Sequence, residues 1–317
     1  MTNKIYVSIA SYRDPLLQST IDDLFNKANN KNNIIVGSYI QTSNNYYDHE
    51  KCLITNDYDG KVKYKIEKPG KIFSINKCRN EALSWLDESF SFVLQVDSHM
   101  RFKKGWDTSL INLWNSINNN KALISSTLPA WYFDKNNNEF FQENNNTFSR
   151  QEFNHEYSKK IFLNEVKLVP TADPIYAENY VKRGWYLSAH FIFGPAKYFI
   201  ENKQIEWIVF WGEELMNSLV AYTNGWDVFL PSNKYIYHMF PQLINHIVLN
   251  KIWQDFPKNW DDKEKECSLK IIDCLINNLN QEIFGKNRNI DTLSEIIGYD
   301  ISLLFKDWLK ELTEKNI

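Results

Sequence analysis

The stretch FSFVLQVDSHMRFKK, from Phe90 to Lys104, decides the fold and the position of the candidate site. Its apolar half predicts a buried β-strand over residues 91–97. The strand ends on Asp97, and His99 follows two positions later. Side chains two apart on an extended chain point to the same side, so a carboxylate oxygen and an imidazole nitrogen can converge on one cation. Taken alone, the string also fits an Asp that caps a turn beside a surface His.

Strand and helix patterns alternate around this stretch. The predicted strands cover residues 4–10, 33–40 and 61–69, and the predicted helices cover residues 16–28, 73–86 and 106–117. Such alternation predicts an α/β fold, a Rossmann-like mixed sheet flanked by helices. Ligands of open α/β sheets bind at the carboxyl ends of the strands. Because residues 11–14 and 97–99 both follow predicted strands, we expect one site at this edge.

Two segments depart from the alternating pattern. Residues 133–160 are rich in Asn and lack periodicity, which predicts a long surface loop. After Pro241 the pattern becomes helical throughout. We therefore predict a catalytic domain over residues 1–240 and a helical C-terminal extension over residues 241–317.

Composition excludes several functional classes. The formal net charge of the 317 residues is −3, so no strongly basic field indicates a nucleic-acid partner. Neither G-x-G-x-x-G nor G-x-x-x-x-G-K-[ST] occurs, so the glycine-rich phosphate cradles are absent. A nucleotide would have to be held in another way, and a metal ion is the obvious substitute.

The cysteines and the hydropathy pattern bear on location. The chain has 4 cysteines and no C-x-x-C pair, which indicates a reducing compartment. The N-terminus lacks the apolar core of a signal peptide, and no apolar run reaches the roughly 18 residues that a transmembrane helix needs. We therefore expect a cytoplasmic protein with no transmembrane segment.

A third metal ligand has to come from elsewhere in the chain, which contains 6 histidines. His49 and His155 lie in polar segments, and His246 lies in a helical run. His190 and His238 are each flanked by apolar residues. A lone His among apolar neighbours is usually a hydrogen-bonded core residue, so these residues alone leave the third ligand open.

Four motifs together resemble a known family. They are SIASYRDP at residues 8–15, VDSHMRF at 96–102 followed by WD, WGEE at 211–214, and YHMF at 237–240. The combination resembles the GlcNAc-transferring glycosyltransferases, whose members include cytoplasmic enzymes that modify hydroxyproline in a polypeptide. It is more distantly similar to the polypeptide N-acetylgalactosaminyltransferases. The resemblance covers roughly residues 4–240 and continues weakly into the tail.

The resemblance implies a GT-A fold and a metal site. It assigns Asp97 and His99 to a Mn²⁺ or Mg²⁺ ion and makes His238 the distant third ligand. It also implies catalytic roles for the acids of the WGEE motif, Glu213 and Glu214. Glu213 stands where the distant relatives have a second Gly, so which acid acts stays open.

The resemblance further implies a nucleotide-sugar donor, with UDP-GlcNAc favoured. Ala10 and Tyr12 are expected at the uracil, and Arg13 and Arg79 are the cationic candidates for the nucleotide side. His190 and Gly194 are expected near the donor sugar. Ser98 and Trp211, which lie inside the matching motifs, complete the expected donor-binding set.

The implied activity is retaining transfer of N-acetylglucosamine to a hydroxyl acceptor on a protein or a glycan. Three alternatives stay open at this point. The donor could be UDP-GalNAc, UDP-Gal or UDP-Glc, or the chain could be a sugar-binding module without turnover. A metal-dependent phosphoesterase is the third, although such enzymes usually hold two metals with more carboxylates. The acceptor and the choice between retention and inversion are not fixed by the sequence.

Overall fold

A computed structural model describes most of the chain. The described residues are 3–42, 46–68, 74–142, 147–152, 155–169, 171–176, 181–231, 235–240, 251–255, 257–277 and 283–315. The strands are β1 (Ile5–Tyr12), β2 (Ile34–Gln41), β3 (Val62–Glu67), β4 (Phe92–Val96), β5 (Met100–Phe102), β6 (Ala122–Ser125), β7 (Trp131–Phe133), β8 (Glu139–Phe141), β9 (Thr147–Glu152), β10 (Thr171–Tyr176), β11 (Val181–Gly184), β12 (Phe191–Pro195), β13 (Asp227–Pro231) and β14 (Ile236–His238). The helices are α1 (Leu17–Lys27), α2 (Tyr46–Lys51), α3 (Ile75–Ala82), α4 (Trp106–Ile117), α5 (His155–Glu165), α6 (Ala196–Glu201), α7 (Glu213–Thr223), α8 (Ile252–Asp255), α9 (Pro257–Ile276), α10 (Ser294–Ile297) and α11 (Ile301–Lys315).

An eight-stranded mixed sheet forms the centre of the described structure, in the order β11-β13-β6-β12-β4-β1-β2-β3. Strands β4, β1, β2 and β3 run parallel to one another. Strand β12 runs antiparallel to both of its neighbours, β4 and β6. The predicted α/β fold with a mixed sheet is confirmed.

Helix α1 shows how the sequence pattern places helices on this sheet. Its apolar residues recur at helical spacing, and Leu17, Ile21, Leu24 and Phe25 are all buried. They join a hydrophobic cluster that includes the inward-facing residues of β1 and β4. Burial of the amphipathic face, rather than helix propensity, is what stabilises such a helix.

The prediction of a long loop over residues 133–160 is wrong in part. Strands β7 and β8 form an antiparallel hairpin, β9 pairs with β10, and α5 begins at His155. The Asp134 carboxylate accepts hydrogen bonds from the backbone of Asn136 and Asn138 and thereby closes the hairpin turn. Asn residues favour such turns. Part of the Asn-rich stretch that suggested a long loop is therefore a tight connection between two strands.

The C-terminal helices share a core with the sheet domain. Cys267 and Ile271 of α9 and Phe305 of α11 belong to the same hydrophobic cluster as Leu215 and Leu219 of α7. This cluster therefore joins residues from both sides of position 240. The division of the chain into domains at that position stays a prediction.

Two further observations concern cysteines and membranes. All four cysteines are buried and free of disulfides. Among the described helices, none combines the length and the apolar character that crossing a membrane requires.

Gly37 on β2 provides a test of the packing between the sheet and α3. An added Cβ would overlap the Tyr6 hydroxyl and the Ala82 carbonyl, which are hydrogen-bonded to each other at 2.5 Å. Gly37→Ala should lower the free energy of unfolding by about 1–3 kcal/mol, because the core cannot admit a methyl group here. Urea unfolding measures the change.

Gly298→Ala is the matched control, because nothing lies within 4 Å of its added Cβ. Its φ of +83° leaves only a backbone cost of about 1–2 kcal/mol. A Gly37→Ala variant as stable as the wild type would contradict this close packing.

Candidate functional site

A cleft of about 660 Å³ opens at the carboxyl ends of β1 and β4. These strands are parallel neighbours, with Ile9 opposite Val96, so the residues that follow each strand lie side by side. The cleft is lined by Asp97, Ser98 and His99 after β4, and by Ala10, Ser11, Tyr12 and Asp14 at the end of β1. Residues of β2, of α3 and of loops and helices later in the chain complete its walls.

Three potential metal ligands converge in this cleft. Asp97, His99 and His238 each offer one ligand atom, and these atoms lie within 4.8 Å of one another. His99 Nε2 is 3.1 Å from His238 Nε2, and His238 Nε2 is 3.2 Å from Asp97 Oδ2. Partial burial acts to raise the pKa of Asp97, but the hydrogen bond with His238 and the charges of His238, His99 and Arg79 together outweigh it and hold the pKa below its usual value.

Asp14 orients the imidazole of His99. His99 Nδ1 lies 2.7 Å from Asp14 Oδ2, and the Ser98 hydroxyl donates to the same carboxylate oxygen at 2.6 Å. Burial acts to raise the pKa of Asp14, but these hydrogen bonds outweigh it and the pKa lies below its usual value. An ionised Asp14 accepts a hydrogen bond from the Nδ1–H of His99 and thereby turns Nε2 toward the ligand cluster.

Backbone pairing positions His238 although it is 139 positions from His99 along the chain. Strand β14 pairs antiparallel with β5, and His238 lies opposite Met100 in that register. The backbone N–H of Met239 donates to the His99 carbonyl at 3.2 Å. The two imidazoles are therefore carried by backbones that are hydrogen-bonded to each other.

His190 packs against the cluster without joining it. Its ring centroid is 4.6 Å from that of His238, and its Nε2 accepts a hydrogen bond from the Leu128 backbone at 3.3 Å. Burial, with the nearby His238, lowers the pKa of His190 to about 3. His190 is therefore a neutral side chain that supports the His238 ring.

A buried ion pair joins the helix before β4 to the WGEE segment. Arg79 on α3 contacts Glu213 at the start of α7, and its guanidinium also lies 3.6 Å from Asp97 Oδ1. Burial raises the pKa of Glu213 above its usual value, and the opposing charge of Arg79 does not fully offset it. Arg79 therefore links one acid of the WGEE segment to the candidate ligand Asp97.

Glu214 faces a different partner. Its Oε1 accepts a hydrogen bond from the Ala189 backbone at 2.7 Å. Burial and the neighbouring Glu213 raise the pKa of Glu214 to about 8. At neutral pH Glu214 therefore carries a proton for most of the time and can donate a hydrogen bond.

The remaining predicted residues divide between the cleft and its edge. Ala10, Tyr12, Ser98, Arg79, His190 and Trp211 all line the cleft. Arg13 does not line it and pairs with Asp255 on α8 at 2.5 Å. Tyr12 also contacts Asp255 through its hydroxyl. Asp255 therefore joins α8 to the end of β1.

Gly194 does not reach the cleft, which corrects its predicted place near the donor sugar. It lies within β12, opposite Val93 of β4 in the sheet. A Cβ at this position would lie 2.6 Å from a methyl carbon of Leu123. Close packing inside the sheet thus accounts for the glycine.

Several cleft residues were not identified from the sequence. Asp14 lay in a segment expected at the site, but nothing in the spacing indicated its contact with His99. Phe210, Phe240, Lys251 and Trp253 also line the cleft. The last two lie on or beside the short helix α8, outside the four motifs, so no sequence signal pointed to them.

Comparison with known proteins adds to this geometry. The chain matches the family described as Glycosyltransferase (GlcNAc) over residues 4–83 and 78–302. The chain belongs to the GlcNAc glycosyltransferase family. The predicted resemblance is therefore confirmed, and the match extends beyond residue 240 into the helical C-terminal part. No curated protein matches the chain.

The solved structure of GalNAc-T7 supports the GT-A fold of this GlcNAc glycosyltransferase family member. GalNAc-T7 with UDP, GalNAc and Mn²⁺ aligns with a TM-score of 0.56 at 12% identity, covering 96% of this chain and 56% of that one. TarS from S. aureus, residues 1–349, aligns with a TM-score of 0.44 at 16% identity, covering 75% and 61%. Its complex with UDP-GlcNAc gives a TM-score of 0.46 at 14% identity, covering 98% and 80%. The chain thus spans about 61% and 56% of the first two solved chains.

The Arg79–Glu213 pair provides a test of the site's electrostatics. Arg79→Met leaves Glu213 buried without its positive partner, which should lower the free energy of unfolding by about 3–5 kcal/mol. Adding Glu213→Gln removes the unpaired charge and should recover most of the loss. Urea unfolding of Arg79→Met and of the double variant measures both changes. Arg79→Met with the stability of the wild type would contradict the pairing.

Proposed function

We propose that this family member transfers N-acetylglucosamine from UDP-GlcNAc to a hydroxyl group, with a divalent cation at Asp97, His99 and His238. The observation that carries the proposal is the convergence of these three side chains inside one cleft of a GT-A fold. Their ligand atoms come together from chain segments far apart in sequence. The family match supports transfer of a sugar in preference to hydrolysis of a phosphate ester.

The ligand atoms suit a cation such as Mn²⁺. Two imidazole nitrogens and one carboxylate oxygen form a mixed N/O set, which fits Mn²⁺ better than Ca²⁺. Asp14 fixes the tautomer of His99 so that its Nε2 is a ligand and not a proton donor. A cation held by these three residues would supply positive charge that stabilises a departing diphosphate. A diphosphate held by a cation needs no glycine-rich loop, and the sequence contains neither of the two common glycine-rich motifs.

The nucleotide would extend from this cluster along the end of β1. Ala10 and Tyr12 line that side of the cleft, and we propose them as contacts of the base. Arg79 lies between the candidate ligand Asp97 and the WGEE segment. We propose that its charge faces the diphosphate and the donor sugar when they are bound. Trp211 offers an aromatic wall near the same sugar.

The protonation states of the two acids favour retention of configuration. An inverting transferase needs an ionised carboxylate free to take the acceptor's proton. Glu213 is paired with Arg79, and Glu214, with a pKa of about 8, is mostly protonated at neutral pH. We propose that Glu214 donates a hydrogen bond to a substrate hydroxyl and that Glu213 keeps Arg79 in place.

The proposed reaction balances without a further reactant. The bond from the anomeric carbon to the diphosphate oxygen breaks, and a bond from that carbon to the acceptor oxygen forms on the same face. The proton of the acceptor hydroxyl passes to the departing diphosphate. UDP and the glycosylated acceptor leave, and the acceptor is a protein or glycan hydroxyl. The free cysteines support a reducing compartment such as the cytoplasm.

The donor is tested by measuring UDP release. With Mn²⁺ and no acceptor, the protein should slowly release UDP from UDP-GlcNAc, faster than from UDP-GalNAc, UDP-Gal or UDP-Glc, and EDTA should stop the release. Preference for another UDP-sugar would overturn the choice of GlcNAc. Donor binding without any UDP release would favour a sugar-binding module, and hydrolysis of p-nitrophenyl phosphate would favour a phosphoesterase.

Metal-ligand variants test the site itself. Asp97→Ala and His99→Ala should each slow UDP release at least about 100-fold, because several kcal/mol of leaving-group stabilisation is lost. His49→Ala, at a half-buried residue outside the cleft, is the control. Near-wild-type release by either ligand variant would refute the proposed cation site.

Asp14→Asn tests the orientation of His99 without removing a ligand. Loss of the carboxylate that holds Nδ1 should weaken Mn²⁺ binding by about 10–100-fold. Asp57→Asn, at an exposed position, is the matched control. Titration calorimetry with Mn²⁺ measures the difference, and equal affinities for the two variants would count against Asp14.

A further inference from the structure

Helix α9 holds the backbone that leads into the two acids of the WGEE segment. Its contacts with residues 207–212 come from one face of the helix, at the spacing that brings residues onto the same side. The contacting residues are Trp260, Glu264, Cys267, Lys270 and Ile271.

The apolar part of this contact fixes Gly212. Gly212 has a φ of +85°, and a Cβ there would lie 2.5 Å from the Ile271 side chain. The Phe210 and Trp260 rings lie 6.4 Å apart, and Lys270 lies 4.2 Å from the centre of the Trp207 ring. The residues just before Glu213 are therefore enclosed between α9 and the cleft.

The polar part of the contact is a buried carboxyl group. Glu264 Oε2 accepts a hydrogen bond from the Trp211 backbone N–H at 3.3 Å. The Glu264 side chain has no solvent exposure, and its Oε1 has no hydrogen-bond partner among the described residues. Burial raises the pKa of Glu264 to about 8, with Glu213 acting in the same direction and Lys167 against it. A protonated acid in an apolar contact is costly for stability, which calls for another reason for its presence.

We propose that Glu264 is a positioning residue for glycosyl transfer, which holds the Trp211 backbone and so fixes the loop that presents Glu213 and Glu214 to the cleft. The proposal rests on the proposed function for the reaction that it serves. Glu264 itself does not line the cleft. It acts through the peptide between Trp211 and the start of α7, where a shift of about 1 Å can slow a reaction about 100-fold.

Two substitutions of similar volume separate positioning from packing. Glu264→Met fills the same space but cannot accept the Trp211 hydrogen bond, whereas Glu264→Gln keeps an acceptor oxygen. Glu264→Met removes the cost of a buried carboxyl group but leaves the Trp211 N–H without an acceptor, and these two effects on stability oppose each other. The midpoint of thermal unfolding of Glu264→Met should therefore stay close to that of the wild type, although its turnover falls.

The kinetic readout is UDP release from UDP-GlcNAc per donor-binding site, with the sites counted by UDP titration. Glu264→Met should lower kcat by about tenfold or more with KM for the donor unchanged, and Glu264→Gln should stay within about twofold of the wild type. Glu266→Met and Glu266→Gln, at an exposed position of α9, are the matched controls. Wild-type kcat in Glu264→Met, an equal loss in Glu264→Gln, or a loss explained by fewer binding sites would each overturn the proposal.

Hydrogen exchange provides a readout that does not depend on the donor. Amides of residues 209–213 should exchange faster in Glu264→Met than in Glu266→Met, because the Trp211 N–H loses its acceptor. Equal exchange would overturn the positioning role. If the wild type releases no UDP from any UDP-sugar, the proposed function fails, and this measurement still decides whether Glu264 orders the loop.

Discussion

The parallel pairing of β1 with β4 is the constraint on which the candidate site depends. In this register Ile9 lies opposite Val96, so both strands end at one edge of the sheet. The segments that follow then bring Asp14 within 2.7 Å of His99. The contact is possible only because two core strands, each buried by its apolar side chains, are held side by side. Hydrophobic burial thus sets the geometry of a polar cluster that contributes little apolar area of its own.

The site also limits its own negative charge. Four carboxyl groups, Asp14, Asp97, Glu213 and Glu214, surround a cleft in which we propose that a diphosphate binds. Arg79 balances part of this charge, and His99 lies against Asp14. Burial keeps a proton on Glu214 near neutral pH. The arrangement therefore presents less negative charge to an anionic substrate than its composition suggests.

The sequence predicted the parts of the fold that depend on local pattern. The buried strand before Asp97, the amphipathic α1 and the bounds of α4 follow from periodicity, because periodicity reports which face of an element is buried. It does not report what that face packs against. The pairing of the strands that lie in residues 133–160 was missed for this reason, as was the contact between Asp14 and His99. Gly194 was misplaced because a glycine required by packing between strands looks the same in sequence as one beside a ligand.

The pairing of β14 with β5 has a consequence for how such a protein can diverge. His238 and Met100 are opposite each other through backbone hydrogen bonds, although a long part of the chain separates them. Surface turns within that part, such as the one closed by Asp134, can change length at little entropic cost without altering the spacing of the two imidazoles. The surface of the protein can thus change at such turns while the two imidazoles keep their mutual positions.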